Sequence, residues 1–139
     1  MKKEVFISIR GVQHIGEEED VTELFTQGTF YHKNGSFYIA YEESETTGFA
    51  GSRTTLKVDP KGRITLFRNG AVRSHLIIMP GERNIGHYGM AEGDLMIGVS
   101  AKAVDSTLTE HGGDLHFSYS LDVNSSLLSE NEVFINIKE

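Results

Sequence analysis

The stretch GDLHFSYSLDV, residues 113–123, decides the fold class of this chain. Apolar and polar side chains alternate along it: the first set is Leu115, Phe117, Tyr119, Leu121 and Val123, and the second is His116, Ser118, Ser120 and Asp122. A period of two residues is typical of an antiparallel β-strand with one buried face and one face toward solvent. The apolar set should therefore point into a core.

The same alternation recurs along the chain, with turn sequences between the segments. Asn34-Gly35 and Asn69-Gly70 are strong hairpin signals, and Pro60-Lys61-Gly62 and Pro80-Gly81 mark further turns. In the last segment Ile135 and Ile137 belong to the inward set. The pattern predicts ten strands, at 3–14, 22–33, 36–44, 52–59, 63–69, 72–79, 83–90, 94–104, 114–123 and 132–138.

A sheet of that many hairpin-connected strands tends to curl, and closure removes its exposed edges. We predict an all-β fold, an up-and-down antiparallel meander closed into a small barrel of about 8–10 strands. The 139 residues should form a single domain. Residues 20–25, DVTELF, have capping-box spacing and could start a helix, but a strand is preferred because no helical periodicity follows. The acidic run EEED at 17–20 and the segment 124–132 are interpreted as loops.

Composition excludes several classes of site. The chain has no cysteine, so disulfides and thiolate metal sites are absent, and a small domain without disulfides suits the reducing cytoplasm. Glu4 and Arg10 interrupt any signal-peptide-like run, and no apolar stretch approaches the ~20 residues of a membrane-spanning helix. With a net charge of −7 and no basic cluster, we expect neither a nucleic-acid nor a membrane partner.

Motifs of known chemistry are also missing. The chain has no glycine-rich phosphate loop, no Gly-x-Ser-x-Gly elbow and no His-Glu-x-x-His sequence. Its six histidines are scattered, and none are spaced to share a metal on one strand or helix. We expect no metal, no cofactor and no catalytic residue of a recognisable type.

The candidate site comes from polar residues on the inward faces of consecutive strands. Glu43 shares the parity of Phe37, Ile39 and Tyr41, so a core face ends in a carboxylate. Each of the next four strands also has one polar residue that points inward at the same end of the barrel: Thr54, Arg68, Ser74 and Tyr88. Tyr41 and Tyr119 share the inward parity. A buried carboxylate needs a partner, so we expect Glu43 to pair with Arg68 across Thr54.

Two interpretations of this cluster remain open. The polar residues form either a plug that closes one end of the barrel or a mouth that binds a small molecule, as small barrels can. The first interpretation makes the protein a solid-core structural or interaction protein, such as a homodimer, since several apolar residues have outward parity: Phe6, Phe67, Ile77, Met79 and Phe134. A cavity would distinguish the two. An enzyme with Glu43 or Tyr88 as acid or base has no motif to support it.

Several segments in order resemble a known family. YEE at 41–43, TTLKV at 54–58, RITLFRNG at 63–70, DLMIGVSAKAV at 94–104 and NEVFINI at 131–137 resemble the YwiB-like proteins, bacterial proteins of unknown function. The resemblance runs from about Thr29 onward and implies a lipocalin-like (calycin) β-barrel. Family members have a Thr-Pro pair after the position of Tyr88, which YGMAEG at 88–93 lacks. The resemblance implies no substrate and no catalytic residue.

Overall fold

The computed structural model describes residues 2–44, 49–71, 73–90 and 93–139, with only the backbone of Met90, Gly93 and Asp94. This part of the chain forms a closed barrel in which each strand pairs antiparallel with its sequence neighbours and β10 pairs with β1. The closed meander is therefore confirmed. Its strands are β1 (Lys3–Ile15), β2 (Glu18–Lys33), β3 (Ser36–Glu42), β4 (Ser52–Val58), β5 (Ile64–Gly70), β6 (Ser74–Ile78), β7 (Arg83–Met90), β8 (Gly93–Ser106), β9 (Gly112–Val123) and β10 (Ser126–Lys138).

The alternation of apolar and polar residues in the sequence matches the inner and outer faces of the barrel. Leu115, Phe117 and Leu121 of β9 and Ile135 and Ile137 of β10 are buried in the core, as predicted, and Tyr119 is half-buried against it. Burying these side chains removes apolar surface from water at about 25 cal/mol per Å², the main force that holds such a barrel closed.

The first hairpin extends further than predicted. Residues 20–25 lie in β2, which confirms the strand and excludes the helix. The acidic run was wrongly interpreted as a loop, because Glu18 already pairs with Ile15 and only Gly16 and Glu17 make the turn. Because of the added length, Gln13 of β1 and Asp20 of β2 lie at the mouth of the barrel.

The segment 124–132 is not a long loop, so that prediction is wrong. Asn124 and Ser125 alone form the turn, with φ angles of 51° and 69°, and β10 begins at Ser126. Positive φ at both central residues is the type I′ geometry that matches strand twist. The pairing with β9 then shifts register between Leu127 and Ser129, as at a β-bulge.

Other boundaries differ by a few residues. The sixth strand spans Ser74–Ile78 rather than 72–79, and its predicted start at Val72 lies outside the described residues. The segment at 91–92, where the family's Thr-Pro pair is missing, is also outside them. Among the residues that are described, no helix has the length and apolar character needed to cross a membrane.

An ion pair on the outer surface ties three strands together. Arg83 of β7 donates from Nε and Nη2 to the two carboxylate oxygens of Asp122 on β9, at 3.0 and 2.6 Å. Its side chain crosses over Gly98 of β8, where an added Cβ would collide with the guanidinium. The guanidinium of Arg83 thus occupies the space that a side chain at position 98 would need. The hydrogen bonds from Arg83 hold the pKa of Asp122 below its usual range.

We expect Gly98→Ala to displace Arg83 and so to lower stability mainly above pH 4. The depressed pKa of Asp122 means that its carboxylate stabilises the fold above the unfolded value of about 3.9 and loses this effect as pH falls through the folded value. Urea unfolding from about pH 6 to pH 2 should therefore show a smaller acid-induced loss in the variant than in the parent.

Gly11→Ala is the matched control, because an added Cβ at Gly11 of β1 meets nothing within 4 Å. It should leave the pH profile unchanged. An unaltered acid profile in Gly98→Ala would contradict the assignment of Gly98 as the crossing point for Arg83.

Candidate functional site

The site begins with a row of residues that face each other directly around one end of the barrel. Tyr41 of β3 lies opposite Thr54 of β4, Thr54 opposite Arg68 of β5, Arg68 opposite Ser74 of β6, and Ser74 opposite Tyr88 of β7. Each of these residues lies on the inward face of its strand, so the row forms a continuous polar belt at the mouth of the barrel.

Glu43 lies one pleat above Tyr41, just past the end of β3. Its backbone N–H donates to the carbonyl of Ser52 at 2.9 Å, which extends the β3–β4 pairing by one step. This bond orients the Glu43 side chain into the barrel. Neighbouring strands are about 4.8 Å apart, so the carboxylate can reach β5 across β4.

The predicted pair between Glu43 and Arg68 is present. Arg68 Nε and Nη2 each lie 3.4 Å from Glu43 Oε2, and Thr54 Oγ1 donates to the same oxygen at 2.5 Å. Arg68 Nε also donates to Thr54 Oγ1 at 3.2 Å, and Nη1 donates to Ser74 Oγ at 3.4 Å. Thr54 therefore lies between the two charges, and with Ser74 it supports the guanidinium.

Both charged residues are buried: Glu43 is 8% exposed and Arg68 is 7% exposed. Two charges taken out of water need good pairing, because desolvation costs several kcal/mol per ion. Glu43 Oε2 receives that pairing. Glu43 Oε1 is also buried and has no hydrogen-bond partner among the described residues. This second carboxylate oxygen therefore takes no part in the hydrogen bonds described among Glu43, Thr54, Arg68 and Ser74.

Phe49 covers the ion pair from the loop after β3. Its ring centroid lies 3.7 Å from Arg68 Cζ, a cation–π stack, and its edge meets the ring of Tyr88 at a centroid distance of 6.2 Å. Phe49 was missed from the sequence, because residues 45–51 lack the alternation that assigns a side chain to one face. Residues 45–48 are outside the described part of the chain.

Three tyrosines complete the wall near Arg68. Burial raises the pKa of Tyr41, and the Glu43 carboxylate beside it raises it further. Burial also raises the pKa of Tyr88 and raises the pKa of Tyr119 to about 12. All three hydroxyls therefore stay protonated near neutral pH and can donate hydrogen bonds.

A cavity lies next to this belt, above the packed core. The cavity, of about 420 Å³, opens at the mouth, between the β3–β5 side and the β10–β1–β2 side. Glu43, Arg68, Phe49 and the three tyrosines lie on its upper wall, and its lower wall is apolar, with Leu56, Leu66, Leu76, Phe117 and Ile135. Thr54 and Ser74 lie behind Arg68 rather than on this wall.

The opposite wall holds polar residues that were missed from the sequence. Gln13 of β1, Asp20 and Thr22 of β2, and Asn131 of β10 line the cavity. Gln13 Nε2 donates to Asn131 Oδ1 at 3.1 Å, and Asn131 Nδ2 donates to Ser129 Oγ at 3.0 Å. The signal that could have found them is strand parity, since Gln13 shares it with Ile9 and Asn131 shares it with Ile135.

The described ranges contain no group of three histidine, aspartate or glutamate side chains placed to hold a metal ion. The chemistry available at the mouth is therefore that of one buried ion pair, the tyrosine hydroxyls and the amide-bearing side chains. These groups can donate and accept hydrogen bonds.

Comparison with known proteins places this chain in a family. Residues 7–135 match the family described as "Domain of unknown function (DUF1934)". The chain belongs to this family. The match begins well before Thr29, where the resemblance read from the sequence became clear. It therefore includes β1 and β2, which form one wall of the cavity.

YwiB of Bacillus subtilis shares the barrel of this DUF1934 chain, by its sequence and by its crystal structure. The "Uncharacterized beta-barrel protein YwiB" of Bacillus subtilis (strain 168) is 29% identical over 125 residues, covering 88% of this chain and 86% of the relative. The crystal structure of ywiB protein from Bacillus subtilis superposes with a TM-score of 0.86 at 23% identity, covering 99% of this chain and 92% of that chain. The resemblance to YwiB-like proteins is confirmed, and both comparisons support the fold without assigning an activity.

Proposed function

We propose that this protein binds a small amphipathic molecule in the mouth of its barrel. The observation that carries the proposal is the cavity of about 420 Å³, which has a polar upper wall and an apolar lower wall. Pockets for small ligands typically enclose about 300–1,000 Å³, with a few placed polar groups among apolar ones. A molecule with a polar head and an apolar body matches that division.

The alternative of a solid plug agrees less well with two features. A plug would fill the space below Arg68, which here is open. A plug would also satisfy its buried polar atoms, since leaving one unpaired costs about 1–3 kcal/mol. Glu43 Oε1 is buried without a partner in the described part of the chain, and Glu43 is one of the residues that line the cavity.

The proposal is binding rather than catalysis. Glu43 is engaged by Arg68 and Thr54. Burial raises the pKa of Tyr88, so its hydroxyl stays protonated and is not suited to act as a base near neutral pH. A net charge of −7 disfavours nucleic acid and anionic membranes as partners. A chain without cysteine suits a reducing compartment, so we propose that binding takes place in the cytoplasm.

Native mass spectrometry tests the proposal directly. We expect the protein, either as purified or after incubation with the low-molecular-mass fraction of a cell extract, to carry a bound small molecule. Val133→Phe, which places a ring on the cavity wall, should abolish the added mass while the variant stays folded by circular dichroism.

Val21→Phe is the control, because Val21 is 45% exposed on the outer face of β2. It should keep the added mass. A bare-chain mass for the parent protein in both conditions would contradict the proposed function.

A second candidate function, self-association, is favoured by the outer face of β1, β2 and β10. Phe25 is 72% exposed and stacks on Phe6 at a centroid distance of 6.2 Å, while Arg10 lies 5.8 Å from the ring of Phe134. Exposed aromatic clusters of this kind often mark interfaces. We propose a homodimer through this face, and the same native mass spectra report it as a doubled mass.

A further inference from the structure

The ion pair at the mouth offers hydrogen-bonding capacity of both kinds at one place. Glu43 Oε1 is a buried acceptor with no described partner. Arg68 Nη1 and Nη2 carry two hydrogens each, and the described contacts use one of each, to Ser74 and to Glu43. An unpaired acceptor and donors with spare hydrogens therefore belong to the same ion pair, and both of its residues line the cavity.

The charges of the buried ion pair cancel. Glu43 and Arg68 neutralise each other within the buried belt. A ligand that brought its own full charge would attract one partner and repel the other at a similar distance, and its desolvation would not be compensated. Two further acids, Asp20 and Glu132, lie on the cavity wall. Asp20 is exposed to solvent, so its influence on a bound group is screened, and the carboxylate of Glu132 is engaged by His116 Nε2 at 2.9 Å.

The lower part of the cavity selects for an apolar body. Leu56, Leu66 and Leu76 form one side, and Phe117 and Ile135 form the other. Above them, the aromatic rings of Phe49 and the three tyrosines line the space beside Arg68. A planar aromatic group can pack against such rings by offset stacking or by edge contacts.

We propose that the ligand is uncharged and presents an amide-like edge, with a hydrogen-bond donor beside an acceptor, on an apolar and preferably aromatic body. The donor binds Glu43 Oε1 and the acceptor receives an N–H of Arg68. This inference rests on the proposed function and names the chemical class that the same cavity takes. Primary amides, lactams and the edges of neutral heteroaromatic rings belong to this class.

A matched set of four naphthalene derivatives tests the inference. They carry, at the same ring position, a carboxamide, a carboxylate, an amidine or a methyl ketone. Their affinities are measured by titration while following backbone resonances of the mouth strands by NMR. The carboxamide should bind more tightly than each of the others by about tenfold, the value of one buried hydrogen bond.

Glu43→Gln sharpens the test, because it leaves Arg68 as an uncompensated positive charge. In this variant the preference should pass from the carboxamide to the carboxylate. Glu42→Gln is the matched control: Glu42 pairs with Arg53 at 3.0 Å on the exposed face of the same two strands. It should keep the ranking of the parent protein. If Glu43→Gln does not give a dispersed spectrum, the ranking in the parent protein decides the inference.

The outcomes separate this inference from the proposed function. Equal affinities for all four probes would overturn the amide-like class while leaving the cavity as an apolar binding site. Tightest binding of the carboxylate or of the amidine by the parent protein would also overturn it. Absence of binding by every probe would overturn it too, and together with a bare-chain mass in native spectra would overturn the proposed function.

Discussion

Phe117→Ala should lower the free energy of unfolding by about 3–5 kcal/mol, the range measured for truncation of deeply buried aromatic residues. Phe117 is 1% exposed, stacks on Tyr119 at a centroid distance of 6.0 Å and lies on the lower wall of the cavity. The substitution removes apolar contacts and leaves space that joins the existing cavity, which the rigid hydrogen-bonded barrel cannot close by local collapse. Urea unfolding followed by circular dichroism measures the change.

Phe25→Ala is the control for the same chemical change at the surface. Phe25 lies on the outer face of β2 and is 72% exposed, so its truncation should cost less than about 1 kcal/mol in the monomer. A cost for Phe117→Ala as small as that of Phe25→Ala would contradict the packing of the β9 face against the core.

The fold could be predicted because hairpin turns and alternation agree in this sequence. Asn34 and Gly35 adopt φ angles of 53° and 82°, the two positive values that a two-residue hairpin turn needs, and this fixes the register of β2 against β3. Once register is fixed, parity determines which side chains point inward. The same reasoning brought Glu43, Thr54 and Arg68 together correctly, although they are up to 25 residues apart. The lipocalin-like relationship stays a prediction.

Where the sequence misled, the local signal was weak or shared between two structures. Asn124-Ser125 makes a tight turn without glycine, so the start of β10 resembled a loop. Asp20 and Gln13 lie at strand ends, where polar residues usually face solvent, and here they line a cavity. The stacking of Phe49 on Arg68 depends on a loop path that has no periodicity. The volume of the cavity depends on side-chain packing in three dimensions, which no sequence pattern encodes.

The second large effect concerns the buried ion pair. Arg68→Ala should lower the free energy of unfolding by about 3–5 kcal/mol, because Glu43 would remain buried without its partner. Glu43→Gln should also be costly for the converse reason, although its amide can still accept the hydrogen bond from Thr54. The hydrogen-bonded pairing of β4, β5 and β6, with Thr54 and Ser74 unchanged, keeps the fold intact in each variant.

A double-mutant cycle measures the coupling energy between Glu43 and Arg68 separately from the cost of each single change. In the combined variant no buried charge is stranded, so the double change should cost clearly less than the sum of the single changes, with a coupling of about 1–3 kcal/mol. The exposed pair of Glu42 and Arg53, on the outer faces of β3 and β4, provides the control cycle. Its coupling should stay below about 1 kcal/mol, as for other surface pairs. Equal couplings in the two cycles would show that burial adds nothing, and would contradict the central role given to Glu43 and Arg68 at the mouth.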